Sequence, residues 1–253
     1  MISSLRKEKI RELLYEKKSV TVNGLSKVFN VTTETIRTDL KALSAEDASI
    51  KRSYGGAYIS NGVENLIDVN IRMDVCVEAK ERIAQHSKAL VVSGDTLFLD
   101  NSTTCFYIAK EIQDMHLTVL TNNLPIINLL SNCSNIKLVS IGGIYSTSEM
   151  SFYGNIAVQT MENYFVDKVF FSSRFVSLPD GITDSSECWT LIRKKALKHA
   201  TKAYYVADHS KFDHTSYNRL AGFDEIDQVI TDTPLRQEWH DELKKVNCLL
   251  VDE

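Results

Sequence analysis

The sequence predicts an α/β protein in two parts: a small winged helix-turn-helix module and a larger α/β module on a mostly parallel sheet. Three observations predict it. From about residue 96 onward, short apolar strands alternate with stretches of helical period, the pattern of a parallel sheet covered on both faces. Before residue 59, three short amphipathic segments crowd around a turn, and a Gly-Gly pair follows between β-type runs. The charge also changes sign. Residues 1–58 hold 11 Lys and Arg against 7 Asp and Glu, a net of +4, and the remainder holds 18 against 26, a net of −8.

Composition excludes several classes. Of the 253 residues, 43% are hydrophobic and 25% charged, too ordinary for a disordered or fibrous chain. Three Pro and 10 Gly leave no room for a long flexible linker, and 5 Cys make no disulfide scaffold. Arg6, Lys7, Glu8 and Lys9 interrupt any leader-type apolar run, and no stretch reaches the roughly 18 apolar residues of a membrane span. A soluble cytoplasmic protein is expected.

In the first module, Ile10, Leu13 and Leu14 predict a helix from Arg6 to about Glu16. Ser19 to Val22 reads as a strand stub or the entry to a second helix. Leu25, Val28 and Phe29 form that helix's apolar side, and Asn30 suits a tight turn. Thr32 is a natural N-cap for a third helix from Thr33 to about Leu43, with Ile36, Leu40 and Leu43 on one face. Thr33, Glu34, Arg37, Thr38 and Lys41 fall on the outward face. These types read base edges or grip phosphates, although a solvated face of a small helical domain has the same composition. Ser49 to Tyr58 reads as a hairpin around Gly55 and Gly56, with Lys51 and Arg52 available to a phosphate backbone.

Ile59 to Val69 is polar and contains Asn61-Gly62. The division is therefore 1–58 for the DNA-binding domain, 59–76 for a linker and 77–253 for the larger domain. A helix from Glu78 to Leu90 opens the latter. Strands follow at 96–99, 117–120, 136–141, 168–171, 203–207, 228–231 and 248–251, with helices at 103–113, 124–131, 155–164 and 187–200. Open sheets of this kind bind ligands beyond the carboxyl ends of their strands. Those ends read Asp100-Asn101-Ser102-Thr103-Thr104, Thr121-Asn122-Asn123, Gly142-Gly143 and Asp208-His209-Ser210-Lys211. Hydroxyls and free N–H groups at a helix start make an anion site, and Lys211 offers a compact positive charge. Asp100 and Asn122 suit sugar hydroxyls. Each loop alone has turn chemistry as its plain explanation. Four at successive strand ends point to a phosphorylated polyol.

The run Val31-Thr-Thr-Glu-Thr-Ile-Arg-Thr-Asp-Leu40 with Lys51-Arg-Ser-Tyr-Gly-Gly-Ala57 resembles the DNA-binding segment of DeoR-type bacterial transcriptional regulators. In that family the recognition helix reads approximately V-S-x-x-T-I-R-R-D-L and the wing R-x-H-G-G-A. Thr38 replaces the second Arg, Tyr54 the wing His, and the stretch from Leu43 to Arg52 is about one residue longer. The resemblance adds Thr35 and Tyr54 to the DNA-contact candidates. It continues in Lys80-Glu-Arg-Ile-Ala84, the Asp100, Thr121 and Gly142 motifs and Asp208-His-Ser-Lys-Phe212, so it covers nearly the whole chain. It implies a sugar-phosphate sensor with a fold similar to ribose-5-phosphate isomerase, and effector contacts that include Lys80, Ser210 and Glu187. One segment departs: Ser172-Ser173-Arg174-Phe175 stands where the family carries two glycines, and Arg174 is an added cation expected at the effector.

These observations predict a DNA-binding regulator, a repressor of a sugar or polyol catabolic operon released by a phosphorylated sugar. It would act as a homodimer or homotetramer, because helix-turn-helix proteins set two recognition helices one DNA turn apart. One alternative is a sugar-phosphate isomerase-like enzyme with a fused DNA-binding module, with Asp100, Asp208, Glu187 or Lys211 as base. Another is a sensor that has lost its ligand. No catalytic residue, cofactor or metal is expected, since no His pairs with Cys at zinc spacing. Cys105 and Cys188 read as buried thiols rather than redox sensors, and Trp189, Tyr204 and Tyr205 as core or interface.

Overall fold

The computed structural model describes residues 2–17, 19–53, 55–59 and 69–252, and the chain divides into two compact units, 1–77 and 78–253. Asn61-Gly62 and half of the expected linker, residues 60–68, lie outside the described residues.

The first unit contains α1 (Ser3–Lys17), β1 (Ser19–Thr21), α2 (Val22–Phe29), α3 (Thr33–Glu46), β2 (Ile50–Ser53), β3 (Gly56–Ile59) and α4 (Val69–Asp74). The turn between α2 and α3 follows from its residues. Asn30 closes α2 in the left-handed conformation at φ 49°, and the Thr32 hydroxyl accepts the Thr35 N–H to start α3. Thr21 caps α2 in the same way through Gly24 N–H. Ile10, Leu14, Leu25, Ile36, Leu40 and Leu43 meet in one core. Val28 does not join it and is 69% exposed. In an eight-residue helix, Val22 and Leu25 set the inward face, and Phe29, four residues beyond Leu25, continues it while Val28 turns away. The strands form a small antiparallel sheet in the order β1-β3-β2.

The second unit contains α5 (Val77–Lys88), β4 (Thr96–Leu99), α6 (Thr103–Glu111), β5 (Leu117–Thr121), α7 (Leu124–Leu130), β6 (Ile136–Ser140), β7 (Ile144–Ser146) and β8 (Ser151–Tyr153). It continues with α8 (Asn155–Glu162), β9 (Val166–Phe171), β10 (Phe175–Ser177), β11 (Gly181–Asp184), α9 (Glu187–Lys198) and β12 (Ala200–Val206). β13 (Asn218–Ala221), β14 (Gln228–Ile230), α10 (Gln237–Lys245) and β15 (Leu249–Val251) complete it. Seven strands, all those expected from the sequence, make one parallel sheet in the order β15-β14-β12-β9-β4-β5-β6. The chain runs outward from β4 through β5 to β6, then restarts at β9 and runs the other way. The crevice beyond the carboxyl ends of β4 and β9 is therefore the topological switch point, where such sheets take their ligands. Three additions in this unit have no counterpart in the sequence reading: the hairpin β7–β8, an antiparallel sheet β10-β11-β13 and helix α10.

Candidate functional site

In the first unit, α3 presents Glu34, Arg37, Thr38 and Lys41 to solvent, with Thr33 and Thr35 half-buried and Thr32 exposed at the cap. Arg37 lies 3.4 Å from Glu34 one turn back, and the Thr38 hydroxyl donates to the Glu34 carbonyl. Lys51 and Arg52 are exposed on β2. Tyr54 lies outside the described residues. Gly55 and Gly56 have a packing role. A Cβ on Gly56 would sit 2.0 Å from the Val20 carbonyl oxygen across the β1–β3 ladder, and one on Gly55 would meet Val75 at 2.2 Å. Gly56 is buried and offers no face to DNA.

The helix that carries this surface is held by charge. Arg6 donates to Asp39 at 2.6 Å with both side chains buried, and Ser3 adds a bond to the same carboxylate. Further along, Lys7 and Arg11 pair with Glu46, and Tyr15 donates to Asp47. Those three cations of α1 are therefore paired to α3. The exposed cations on α3 and β2 are Arg37, Lys41, Lys51 and Arg52.

In the second unit, the carboxyl ends of β4, β5, β6, β9 and β12 bring most of the expected effector residues to one edge of the sheet. Their centre is a cation the sequence reading missed, Arg193 of α9. Its Nε donates to Asp100 at 2.7 Å, one terminal nitrogen to Asp184 at 2.7 Å and the other to Asn101 at 3.0 Å. Asp100 also accepts the N–H groups of Ser102 and Ser172, so it ties the β4 loop to the β9 loop across the switch point. Burial disfavours charge on Arg193, but the fields of Asp100 and then Asp184 outweigh it and raise its pKa. Buried Glu149 adds to that field. The signal for Arg193 was its place on the buried stripe of α9, with Trp189, Ile192 and Ala196.

Around this centre, Ser102 caps α6 by accepting the Cys105 N–H, which sets Thr103 and Thr104 in the first turn, all three buried. The Cys105 thiol donates to the Phe170 carbonyl, and burial followed by the Asp100 charge pushes its pKa well up, which makes it inert. Thr121 Oγ1 accepts the Asn123 N–H. Asn122 Nδ2 donates to the Phe152 carbonyl at 2.8 Å, and Asn123 Oδ1 accepts the Ile126 N–H at 3.0 Å. Both amide orientations are fixed by backbone groups of definite role, because a flip would set oxygen against oxygen or N–H against N–H. Their other atoms, Asn122 Oδ1 and Asn123 Nδ2, are buried and meet no partner among the described residues.

At the end of β12, Asp208 accepts from the backbone N–H and hydroxyl of Ser210. Burial works to raise its pKa, but Lys211, Ser210 and Lys80 together outweigh burial and lower it. Lys80 is itself buried, and Lys211 half-buried. The sequence reading also missed the dyad beside them, in which His209 Nδ1 lies 2.8 Å from the buried Asp232. Gly142 has open space around it, whereas a Cβ on Gly143 would strike the Tyr153 carbonyl at 2.4 Å. Between Ser172 and Phe175, the Ser173 hydroxyl bonds to the buried Tyr205 hydroxyl at 2.9 Å. Arg174 lies over the Phe175 ring, which packs on His214. Glu187 is exposed on the first turn of α9.

Comparison with known proteins agrees with this two-part layout. Residues 6–62 match the DeoR-like helix-turn-helix domain, and residues 75–233 match the DeoR C terminal sensor domain. The HTH-type transcriptional regulator YulB of Bacillus subtilis is 36% identical over 93% of this chain and 91% of its own. The HTH-type transcriptional repressor GlcR of the same organism is 29% identical over 96% and 94%. An L-fucose operon activator of Haemophilus influenzae is 31% identical over 91% and 92%. Among solved structures, ribose 5-phosphate isomerase A from Methanocaldococcus jannaschii is 17% identical over 54% of each chain, with a TM-score of 0.40.

Proposed function

The chain belongs to the DeoR family of helix-turn-helix transcriptional regulators, whose members bind DNA and are not enzymes, and from that premise we propose that it represses a sugar or polyol catabolic operon and leaves its operator when a phosphorylated sugar binds. α3 enters the major groove with Arg37, Thr38 and Lys41 toward the DNA, and Lys51 and Arg52 hold the phosphate backbone. The protein acts in the cytoplasm as a homo-oligomer, so that two recognition helices meet two half-sites.

The effector reading is carried by one observation, the buried and unpartnered Asn122 Oδ1 and Asn123 Nδ2. An unsatisfied buried polar atom costs about 1–3 kcal/mol. Sugar hydroxyls both donate and accept, so they satisfy an orphan acceptor and an orphan donor alike. Lys80, Lys211 and Arg174 supply positive charge for the phosphate from the same edge of the sheet. Asp100 and Arg193 bind each other and act as the frame that shapes the β4 and β9 loops. Binding weakens DNA affinity only if the effector favours a conformation or assembly with lower affinity for the operator.

The test is a thermal-shift panel of phosphorylated and free sugars on the full chain. Both tryptophans, Trp189 and Trp239, are buried in the second unit, so intrinsic fluorescence follows that unit alone. A phosphosugar that raises its midpoint in a saturable way, and fails to do so with Lys211→Ala, supports the reading. A panel in which no phosphosugar shifts the midpoint contradicts it.

A further inference from the structure

Charged side chains are spread along this chain at 25%, with one long exception. Residues 115–161 hold only Lys137 and Glu149, where 25% of 47 positions would be about 12. Glu149 is buried and faces inward, within the field of Arg193. That leaves Lys137 as the one charge on the surface of the whole segment.

The segment folds into one side of the second unit. It contains β5, α7, β6, the hairpin β7–β8 and α8 except its last residue. The hairpin is fastened to the end of β5 by the bonds Phe152 N–H to Asn122 and Leu124 N–H to Met150. Strand β6 is an outer edge of the parallel sheet, and β7 pairs only with β8. Exposed on this side are Ile144 at 60%, Ile156 at 62% and Tyr145 at 39%. Ile144 lies over the start of α8, within 3.5 Å of where a Gly154 Cβ would be, two residues before Ile156 in the chain.

Free sheet edges are normally guarded by charge, Pro or bulges, because unpaired strands recruit other strands. On β6 that guard is the single Lys137, whereas the helix before the opposite edge strand, α10, carries Glu238, Asp241, Glu242, Lys244 and Lys245. Depletion of charge with exposed aromatic and aliphatic groups is the composition of an interface core. The occupant follows from charge. A two-fold contact sets a surface against its own copy, so any net charge on it repels itself. Outside the basic first module the chain is acidic, at −8, and two copies meet with least repulsion through the side that carries almost no charge.

We propose that the charge-poor side formed by β6, the β7–β8 hairpin and α8 is the surface through which a second copy of this chain docks. The proposal rests on the reading that the protein is a homo-oligomer, and it fixes where the copies meet. Because Asn122 and Asn123 anchor the hairpin, the same contact lies directly against the effector loops.

Sedimentation of the full chain tests it. The wild type is expected as a dimer or a multiple of one. Ile144→Lys and Tyr145→Asp, each on an exposed position, are expected to weaken self-association about 100-fold and yield monomer, with the circular dichroism spectrum of the folded chain kept. Phe165→Lys alters a residue that is 78% exposed but lies at the amino end of β9, and it is expected to leave the oligomer intact. If both hairpin variants keep the wild-type mass, or Phe165→Lys dissociates the protein, this location is overturned. A wild-type monomer overturns the oligomer itself.

Discussion

Replacing Arg193 with Met removes the single cation that holds two loops across the switch point. Asp100 is 1% and Asp184 6% exposed, so both carboxylates stay buried without a counter-charge, and the Asn101 oxygen loses its donor. Breaking a buried pair at one partner costs about 3–5 kcal/mol. For a unit of this size each kcal/mol moves the midpoint about 2–4 °C, which gives a fall of about 6–20 °C. Arg193→Lys keeps a charge but not the fork that spans three partners, and should lie between. A triple variant with Asp100→Asn, Asp184→Asn and Arg193→Met removes the stranded charges and should recover most of the loss, as removal of whole buried ion pairs does elsewhere. Chemical denaturation followed by tryptophan fluorescence measures all three, and DNA binding by the first unit should survive wherever the chain is folded. If Arg193→Met costs under about 1 kcal/mol, or the triple variant is worse than the single, Arg193 is not the keystone argued here.

Three further outcomes are expected. Asp39→Asn removes the carboxylate that Arg6 meets at 2.6 Å and should destabilise the first unit by about 3 kcal/mol, seen by hydrogen exchange in α1 and α3; unchanged exchange there would remove the ion pair's structural role. Gly56→Ala drives a Cβ into the Val20 carbonyl and should unfold or distort the β1–β3 ladder, abolishing DNA binding without touching the tryptophan-monitored transition. Asp208 has a lowered pKa, so it adds stability above its ordinary value of 3.8 that disappears as pH falls through the lower folded value. Asp208→Asn should therefore cost stability at neutral pH and flatten the acid limb of the midpoint-against-pH curve, while a parallel offset at every pH would contradict the assignment.

The seven parallel strands were legible because strands buried on both faces read as continuous apolar runs, as in Leu97-Phe98-Leu99 and Val169-Phe170-Phe171. Strands β7 and β10 hold three residues each, two apolar and one polar, and so show neither a continuous apolar run nor a period of two. Helix α10 escaped because only Trp239 and Leu243 of its nine residues are buried. In the first unit, the turn was readable from Asn30 and Thr32, two residues whose local chemistry dictates their conformation. The basic count was less informative than it looked, since Arg6, Lys7 and Arg11 are paired with α3 and only part of the +4 faces outward. Gly55 and Gly56 were visible, but their reason, the approach of β1 and of Val75, belongs to tertiary packing. The strand-end residues expected at an effector do lie along one edge of the parallel sheet. Arg193 was hidden among Lys194, Lys195 and Lys198, where a solvated helix face is the natural reading.

Under the proposed function, the second unit senses a phosphorylated sugar and thereby controls the grip of the first on DNA. The most direct measurement is fluorescence anisotropy of the full chain on an operator fragment selected from a random library, titrated with the phosphosugar that raises the thermal midpoint. Saturable release of DNA is expected from the wild type, lost in Lys211→Ala although that variant still binds the operator, with no operator binding at all by Arg37→Ala. Operator affinity that stays constant through saturation with that phosphosugar would contradict it.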